Sequence, residues 1–541
     1  WIPRWWRAED CGVALPVMIA NGRRIDQRST MYQQGGLTWF YEHLEQNDFH
    51  PIAIDGRDPA AFIWGIFESE ARLQACSAHI RAGKMCYPVK LPYLIAETEK
   101  GYGFYGAGTN AAHGTSLPGN PRSDAAARQL FNEHAARLFL PRTELTSAIE
   151  KITQHKADNR VPEKYHALGQ RDVVLKLPTA SPQCEKGQAL SPMAAVDKRL
   201  CEWHLANPGV RVRIGNPDEL RSNRMGQTLD LLKHRVLNPE DGVAESIQGA
   251  VITALNEEAV VSAALANKGG MNLVVSYEAF AMKMIGALRQ EIIFARHQKE
   301  LNRHPRWLSL PVIATSHLWE NGKNEQSHQD SAFGEVLLGE MSDMARVVYP
   351  ADANSAVACL DSCYQSQGQI WAMTIPKQEI ISSFSPDQAQ QLVDCGALTL
   401  EEDDRVDVQL VAMGAYQLHV CREVGERLRE KSIGCRITYL LEPGRFRIPR
   451  DRHEQSFVSS PSQQALLFND AIHLRVFVSH MRPEVLLGVC RPLDLGRDRC
   501  LAFGYRNRGG TLDTQGLLEA NQCNARFIVA ETLKKMSLGE G

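Results

Sequence analysis

The sequence predicts an α/β protein with several domains and mostly parallel sheets. Its 541 residues exceed what one hydrophobic core holds, so we expect about two to four domains. Hydrophobic residues make up 44% of the chain and charged residues 23%, which is the balance of an ordinary globular protein. Short apolar runs alternate with amphipathic stretches along the chain, a pattern typical of β-α-β units.

The charge balance argues against nucleic acid and membranes as partners. The chain has 60 basic and 63 acidic residues, so no overall field draws it to nucleic acid or anionic lipid. No apolar stretch approaches the roughly 20 residues that span a bilayer, and no signal-peptide pattern is present at the start. Thirteen cysteines without a CxxC pair indicate reduced, mostly buried thiols. We therefore expect a cytoplasmic protein whose partners are small molecules or proteins.

The first predicted domain covers residues 1–176. Apolar runs bounded by glycine, proline or polar residues predict its strands at residues 13–20, 52–54 and 93–96. Residues 177–214 follow as a predicted linker and surface excursion. Its first part, LPTASPQCEKGQALSP, collects proline, serine and glycine without hydrophobic periodicity.

The second predicted domain covers residues 215–400 and the third covers residues 401–541. In the second, periodicity predicts helices at 225–234 and 257–266 and strands at 312–315, 345–348 and 370–374. An acidic run at residues 401–404 opens the third domain, and we interpret it as a solvated linker face. Beyond it we expect strands at 408–413, 437–440 and 474–478 and a helix at 418–430.

A polar segment at residues 316–334, SHLWENGKNEQSHQDSAFG, follows an apolar strand. Loops at the carboxyl ends of strands bind ligands in α/β sheets, so this segment is a candidate site. Composition alone gives equal weight to an ordinary polar surface loop.

The polar segment resembles a sequence pattern of the phosphoketolases. In that family a strand ends in a Ser-His-x-Trp motif, an asparagine follows, and a Ser-His-Gln-Asp block closes the segment. The matching residues are Ser316, His317, Trp319, Asn324, Ser327, His328, Gln329 and Asp330.

Further blocks resemble the same family in the same order. They are PVMIANGRRI at residues 16–25, DGRDP at 55–59, KGYG at 100–103, GNPDELRSNR at 215–224, SYEAF at 276–280, YPADAN at 349–354, PKQ at 376–378 and GYRNRGGTLDT at 504–514. The resemblance covers nearly the whole chain, which is similar to a phosphoketolase lacking the family's opening segment. The first residue is Trp1 rather than methionine, so we expect a processed, trimmed or incompletely represented polypeptide.

The resemblance implies the thiamine-diphosphate-binding fold, with three α/β domains and mostly parallel central sheets. It also implies thiamine diphosphate and Mg²⁺ as cofactors, a sugar phosphate and inorganic phosphate as substrates, and a homo-oligomer, at least a dimer. The expected reaction cleaves a ketose phosphate to acetyl phosphate and an aldose phosphate. The alternatives are transketolase-like two-carbon transfer, epimerisation of a ketose phosphate, or a non-catalytic subunit.

Glu257 is the candidate activating glutamate of such a site. Thiamine chemistry needs a carboxylate beside the aminopyrimidine ring, because protonation of that ring activates the cofactor. Glu257 stands where the family carries this residue, and Glu258 is the competitor. The same resemblance makes Phe280 a cofactor contact. Alternatively, the two glutamates are exposed residues in a first helical turn, where the helix dipole favours them.

Asn21 matches the asparagine that follows the family's metal-binding aspartate, so it is the candidate metal and diphosphate ligand. The family holds the aspartate itself in a Gly-Asp-Gly segment upstream of Trp1, which we expect on the same or another polypeptide. An Asn-Gly pair after a strand is otherwise a common turn, and Arg23 replaces an aromatic residue of the family.

The resemblance implies Ser222, Tyr277, Asn324 and Lys377 as ligands of the sugar phosphate or attacking phosphate. Neutral donors and one cation suit a dianion. It also implies that His113 and His328 contact substrate hydroxyls and transfer protons. Each residue taken singly is ordinary: a surface lysine, a core tyrosine or a structural histidine.

Three positions depart from the family pattern. Glu320 and Asn321 stand at its basic and amide positions after the tryptophan, and Lys323 stands where a histidine is usual. The preferred substrate is therefore left open.

Overall fold

The structure is a computed structural model that describes residues 2–7, 12, 14–84, 87–114, 116–158, 161–162, 165–179 and 184–538. Proximity of Cα atoms divides the chain into two compact units. Unit 1 contains Trp1–Gly169 and Val236–Asn238, and unit 2 contains Gln170–Arg235 and Pro239–Gly541.

Within its described residues, unit 1 is built on a three-stranded parallel sheet. The strands are β1 (Val17–Ala20), β2 (Phe49–Asp55) and β3 (Leu91–Glu97), in the order β1-β3-β2. All three coincide with the apolar runs that predicted strands, although Val13, where the first run began, lies outside the described residues. The carboxyl end of β1 leads directly into Asn21.

The helices of unit 1 are α1 (Ile2–Trp5), α2 (Thr30–Gln33), α3 (Gly36–Gln46), α4 (Pro59–Arg81), α5 (Ala125–Ala135) and α6 (Arg142–Ala157), with α7 (Ala167–Gln170) at the boundary. Short 3₁₀ turns cover Asn110–His113 and Ala136–Leu138. The start of α4 follows from its sequence, because the Asp58 side chain accepts the N–H of Ala60 and Pro59 occupies the first turn.

Unit 2 contains a parallel sheet that has eight strands over the described part of the chain. Their order is β11 (Ala345–Val348), β12 (Ile370–Thr374), β10 (Leu310–Thr315), β9 (Met271–Tyr277), β5 (Val212–Asn216), β8 (Val251–Thr253), β6 (His234–Arg235) and β7 (Glu245–Ser246). Strands β10 and β12 are buried along their whole length, as expected for a sheet covered on both faces. The strands predicted at 312–315, 345–348 and 370–374 are confirmed.

The helices around this sheet are α8 (Pro192–Ala206), α9 (Gly226–Leu232), α10 (Glu257–Leu265), α11 (Glu278–Ala281), α12 (Ile285–Glu300), α13 (Ala332–Leu337), α14 (Ala353–Tyr364) and α15 (Pro386–Cys395). A short antiparallel pair joins β4 (Ala189–Leu190) to β13 (Ile380–Ile381). The 3₁₀ turns are Met282–Met284, Gly322–Asn324 and Gln326–His328.

Helix α8 and the beginning of strand β5 lie in residues 177–214, the segment predicted to be a linker and excursion. Ser191 caps α8 by accepting the N–H of Ala194, and Asp361 accepts hydrogen bonds from Arg199 Nε at 2.9 Å and Trp203 Nε1 at 2.7 Å. These contacts anchor α8 to α14 within unit 2, so the segment contains regular structure beyond its first part. Residues 180–183 of that part lie outside the described residues.

A second sheet in unit 2 has five strands among the residues described. Its order is β14 (Ala397–Glu402), β16 (Cys435–Leu440), β15 (Val408–Met413), β17 (Leu474–Ser479) and β18 (Cys500–Phe503), with β14 antiparallel and the others parallel. Its helices are α16 (Ala415–Arg429), α17 (Arg452–Gln455), α18 (Pro461–Leu467), α19 (Pro483–Val489), α20 (Thr514–Ala520) and α21 (Ala525–Leu538), and its 3₁₀ turns are Pro443–Phe446 and Arg491–Leu493.

The acidic run at residues 401–404 is not the solvated linker that the sequence suggested. Its first two residues end the edge strand β14, and Glu401 pairs with Arg422 and Arg429. Asp403 accepts the backbone N–H of Cys435 at 2.7 Å, and this bond, with the Arg429 guanidinium, lowers the pKa of Asp403. Arginines on neighbouring elements explain why a charged run can complete a sheet edge.

The α/β class with mostly parallel sheets is confirmed by both units. The domain boundaries at residues 176, 214 and 400 stay predictions. In the described residues no helix combines the length and apolarity needed to cross a membrane. Every cysteine that the structure describes is free of a disulfide, as the spacing predicted.

Candidate functional site

The predicted residues of unit 2 follow the carboxyl ends of neighbouring parallel strands. Ser222 comes after β5, Glu257 after β8, Tyr277 at the end of β9, and Lys377 after β12. The polar segment that begins at Ser316 follows β10, between β9 and β12. The parallel order of these strands therefore brings residues far apart in sequence to one edge of the sheet.

Tyr277 lies at the centre of a cluster of predicted site residues. Its hydroxyl is 3.3 Å from the Ser222 Oγ atom, and Lys377 Nζ lies 5.5 Å from the centre of its ring. The Tyr277 ring stacks on Phe280 with centroids 6.0 Å apart, and Phe280 meets the His328 ring edge-on at 4.8 Å. The structure thus brings five predicted residues together on one surface. Their polar groups are two hydroxyls, an ammonium group and an imidazole.

Lys377 is half-buried beside this cluster. Burial lowers the pKa of Lys377, and the nearby charge of Glu320 opposes that shift. Glu320 also accepts the N–H groups of Lys377 at 3.0 Å and Gln378 at 3.1 Å, together with the hydroxyl of Tyr416 at 2.7 Å. The glutamate that replaces a basic residue of the family pattern therefore holds the backbone on which Lys377 stands.

Glu257 and Glu258 occupy different environments at the start of α10. The Asn256 side chain caps this helix by accepting the N–H of Ala259. Glu257 is buried, whereas Glu258 is exposed, so the alternative of two exposed glutamates is wrong for Glu257. Lys283 Nζ donates to Glu257 Oε1 at 3.0 Å and lies 4.8 Å from the centre of the Phe280 ring.

Two residues of this edge were not predicted from the sequence. Lys283 lies 26 residues from Glu257, and no motif pointed to it. Glu219 belongs to the GNPDELRSNR block without having been singled out. Burial raises the pKa of Glu219, with additional contributions from the charges of Asp218 and Glu257. The position of Glu219 within a matched block was the available signal.

The polar segment after β10 is held by its own side chains. Asn324 Nδ2 donates to Asn321 Oδ1 at 2.8 Å, and Ser327 Oγ lies 3.3 Å from the Asn324 carbonyl and 2.9 Å from His328 Nδ1. Gln329, which is buried, donates to the carbonyl of Asn321 at 3.0 Å. Asn324 is exposed and is linked to the Tyr277 cluster through Ser327 and His328.

In unit 1, Asn21 and His113 line one cavity of about 540 Å³. The other lining residues are Arg23, Arg24, Ile25, Asp26, Gln27 and Lys100. Arg23 is fixed by donating to the Gly108 carbonyl at 2.9 Å and to Asn110 Oδ1 at 3.0 Å. Three cations against the one carboxylate of Asp26 give this cavity a positive balance that favours an anion such as a diphosphate.

The fit of a divalent cation to Asn21 is poorer. Its Oδ1 atom, which a metal would need, accepts the backbone N–H of Arg23 at 3.1 Å, as in an Asx turn. Asn21 therefore offers a metal ion an oxygen atom that is already engaged.

The site edge of unit 2 coincides with a match to a known family. Residues 194–366 match the family model described as D-xylulose 5-phosphate/D-fructose 6-phosphate phosphoketolase. This chain resembles the phosphoketolases. The phosphoketolase-like segment includes every predicted site residue of unit 2 except Lys377.

Curated relatives extend this resemblance over most of the chain. "Probable phosphoketolase 1" of Lactiplantibacillus plantarum is 24% identical over 419 residues, which are 71% of this chain and 52% of the relative. "Xylulose-5-phosphate phosphoketolase" of Lactiplantibacillus pentosus is also 24% identical, with the same shares covered. The chain spans about half the length of the curated relatives it matches.

Solved transketolases share the fold. The transketolase from Leishmania mexicana superposes with a TM-score of 0.63 and 14% identity, covering 95% of this chain and 70% of that one. The transketolase from Campylobacter jejuni gives a TM-score of 0.61 with 14% identity, covering 96% of this chain and 72% of that one. The predicted thiamine-diphosphate-type α/β fold is therefore confirmed.

Proposed function

We propose that the chain takes part in thiamine-diphosphate-dependent cleavage of a ketose phosphate, with acetyl phosphate and an aldose phosphate as products. The observation that carries the proposal is the meeting of Ser222, Tyr277 and Lys377 on the sheet edge where buried Glu257 also lies. Such a set combines a carboxylate for the cofactor with donors for a phosphate group. The xylulose-5-phosphate phosphoketolase of Lactiplantibacillus pentosus and the matching family description name substrates of the same class.

Glu257 and Phe280 would hold the aminopyrimidine ring. The position of Lys283 supports this assignment, because its amino group contacts both the Glu257 carboxylate and the face of Phe280. A heterocyclic ring that stacks on Phe280 and donates a hydrogen bond to Glu257 would contact the same two residues that Lys283 contacts. When bound, thiamine diphosphate supplies a carbon nucleophile for the ketose carbonyl. The carboxylate of Glu257 would lie beside the aminopyrimidine ring and help to hold a proton on that ring.

Lys377, Tyr277 and Ser222 would bind the phosphate group. A half-buried ammonium and two hydroxyls provide one charge-assisted hydrogen bond and two neutral ones to a dianion. His328, held at Nδ1 by Ser327 and packed against Phe280, would transfer protons at substrate oxygens. Asn324, which is exposed, would bind at the edge of this cluster. Within the unit 1 cavity, Asn21 would contact a diphosphate and His113 a substrate hydroxyl.

The test is formation of acetyl phosphate. The chain, and separately the longest polypeptide that its gene encodes, receive thiamine diphosphate, Mg²⁺, xylulose 5-phosphate and inorganic phosphate, and hydroxylamine traps the product. We expect hydroxamate that depends on phosphate. The variant Lys377→Ala should need more phosphate, whereas Lys431→Ala, an exposed lysine after α16, should behave as the parent.

Other products would select the other functions. Phosphate-independent transfer of two carbons to ribose 5-phosphate would favour a transketolase-like reaction, in agreement with the fold. Isomerised ketose phosphate would indicate an epimerase. If both polypeptides are folded and neither forms any of these products, a non-catalytic subunit is favoured. Sedimentation of the same samples tests the proposed homo-oligomer.

A further inference from the structure

Three buried ionisable side chains of unit 2 meet behind the polar segment. Glu278, His317 and His480 are exposed by 0%, 2% and 2%. One donor atom of each lies within 4.8 Å of the donor atoms of the other two. Glu278 Oε1 is 2.9 Å from His480 Nε2, and its Oε2 accepts the N–H of Leu318 at 3.0 Å.

Each member of this trio stands on a different segment. Glu278 begins α11 directly after β9, His317 follows β10, and His480 follows β17 of the five-stranded sheet. The two imidazole rings lie 4.9 Å apart and nearly perpendicular, at 88°. Trp319 fixes the His480 backbone by donating its indole N–H to the His480 carbonyl at 3.1 Å. Each member of the trio is thus positioned by the strand that it follows.

The trio leaves polar capacity unused. Among the described residues, His317 Nδ1 has no hydrogen-bond partner although it is buried, and neither has the hydroxyl of Tyr349. The Tyr349 ring packs against His480 with centroids 5.3 Å apart. A buried polar atom without a partner destabilises the fold, so two of them beside a carboxylate call for an explanation. The hydrogen bond between Glu278 and His480 accounts for the burial of those two residues, but it does not account for the unpartnered Nδ1 atom of His317.

We propose that Glu278, His317 and His480 form a structural Zn²⁺ site. Two imidazole nitrogens and one carboxylate oxygen are a ligand set that zinc accepts, and the buried ring of His317, whose Nδ1 atom has no hydrogen-bond partner, would supply one of the nitrogens. Bonds of about 2.0–2.2 Å in a tetrahedron place ligand atoms roughly 3.3–3.5 Å apart. Glu278 Oε1 and His480 Nε2, now 2.9 Å apart, would therefore separate slightly, while the widest gap in the trio, which is at most 4.8 Å, would close. The Tyr349 hydroxyl is a candidate for the fourth position.

Zinc at this place would join the two sheets of unit 2. Its ligands directly follow β9 and β17 or lie two residues after β10, so they belong to both the eight-stranded and the five-stranded sheet. Glu278 adjoins Tyr277, and His317 is the second residue of the polar segment. The ion would therefore fix the segments that carry the candidate site, without contacting a substrate. This inference does not depend on the proposed function, because it concerns metal content and stability.

The metal content of the full chain tests the proposal. The protein is purified without a polyhistidine tag, exposed to micromolar Zn²⁺, freed of loosely bound ions and measured by plasma mass spectrometry. We expect about one zinc per chain and a melting temperature that falls on chelation and returns with Zn²⁺. Substitution by Co²⁺ should produce the visible absorption bands of a four-coordinate site.

Variants connect the metal to the trio. His480→Leu should weaken zinc binding by about 100-fold or more, since even lost outer-shell partners cost 10–100-fold. His419→Ala, an exposed histidine on α16, is the matched control and should keep the metal. Because His480→Leu could fail to fold, the measurement on the unaltered chain decides. A folded parent protein that takes up neither Zn²⁺ nor Co²⁺, or a His480→Leu protein that retains full zinc, overturns the proposal.

Discussion

Replacing Lys283 should increase the affinity of the chain for thiamine diphosphate. Lys283 donates to Glu257 Oε1 at 3.0 Å and covers the Phe280 ring at 4.8 Å, so it occupies the partners proposed for the aminopyrimidine ring. Cofactor binding must therefore displace this side chain. In Lys283→Met the carboxylate has no competing cation, and binding no longer includes the cost of breaking these contacts.

The size of the expected gain in affinity follows from the solvent exposure of the Lys283 and Glu257 side chains. The Lys283 side chain is 61% exposed and that of Glu257 is 9% exposed, so solvent screens the ion pair and its contribution is about 0.2–1 kcal/mol. An exposed cation–π contact adds about 0.5–1 kcal/mol. The displaced contacts together amount to about 0.7–2 kcal/mol, which corresponds to roughly 3- to 30-fold in affinity at 1.36 kcal/mol per factor of ten.

Isothermal titration with thiamine diphosphate and Mg²⁺ measures this difference. Lys198→Met, an exposed lysine on α8, is the matched control and should leave the affinity unchanged. If Lys283→Met binds the cofactor as the parent does, or more weakly, Lys283 does not compete for Glu257 and Phe280, and the placement of the ring is refuted.

The remaining predictions concern the proposed chemistry and acid stability. Glu257→Gln should keep the fold and lower turnover by about 10² to 10⁴, whereas the exposed Glu258→Gln should have little effect, and the reverse order of the two rates would exchange their roles. Lys377→Ala should raise the phosphate concentration for half-maximal acetyl phosphate formation by roughly 30- to 150-fold, the equivalent of about 2 to 3 kcal/mol, and an unchanged value would remove Lys377 from the phosphate site. Although burial opposes it, hydrogen bonds from Arg450 help to lower the pKa of Glu454 from 4.5 to about 2. The carboxylate therefore stabilises the fold above the unfolded pKa by about 3 kcal/mol, and this contribution disappears as the pH falls towards 2. Glu454→Gln should accordingly lower the melting temperature at pH 7 and do so much less at pH 3, and an equal loss at both pH values would contradict the assignment.

Strands that contain several consecutive apolar residues were predictable from sequence, whereas β5 and α8, which lie at least partly in the segment interpreted as linker, were not. Val312, Ile313 and Ala314 form such a run and predict β10. Strand β5 contains Arg213 within VRIGN, and its central place in the sheet depends on neighbours far along the chain. Helix α8 begins at a Ser-Pro pair that was interpreted as linker, although serine followed by proline is also a helix-start signal.

Some residues of the candidate site were likewise predictable from the sequence, and others were not. Ser222, Tyr277 and Lys377 belong to short motifs in a fixed order, and parallel strands bring the ends of successive β-α units to one edge, so their meeting was foreseeable. The pairing of Lys283 with Glu257 depends on where the turn after α11 directs one side chain. His480 meets Glu278 across 202 residues, through the docking of two sheets. Such contacts leave no local pattern in a single sequence.

The anchoring of α8 has a consequence for synthesis of the chain. Asp361, which accepts the Trp203 indole N–H, is 158 residues further along. At about 5–20 residues per second, the ribosome adds this acceptor roughly 8 to 30 seconds after the helix has been made. Helix α9 follows soon after α8, but the side of α8 that packs against α14 remains uncovered during that interval. The growing polypeptide therefore presents this side of α8 for many seconds, long enough for a chaperone to bind it before α14 is complete.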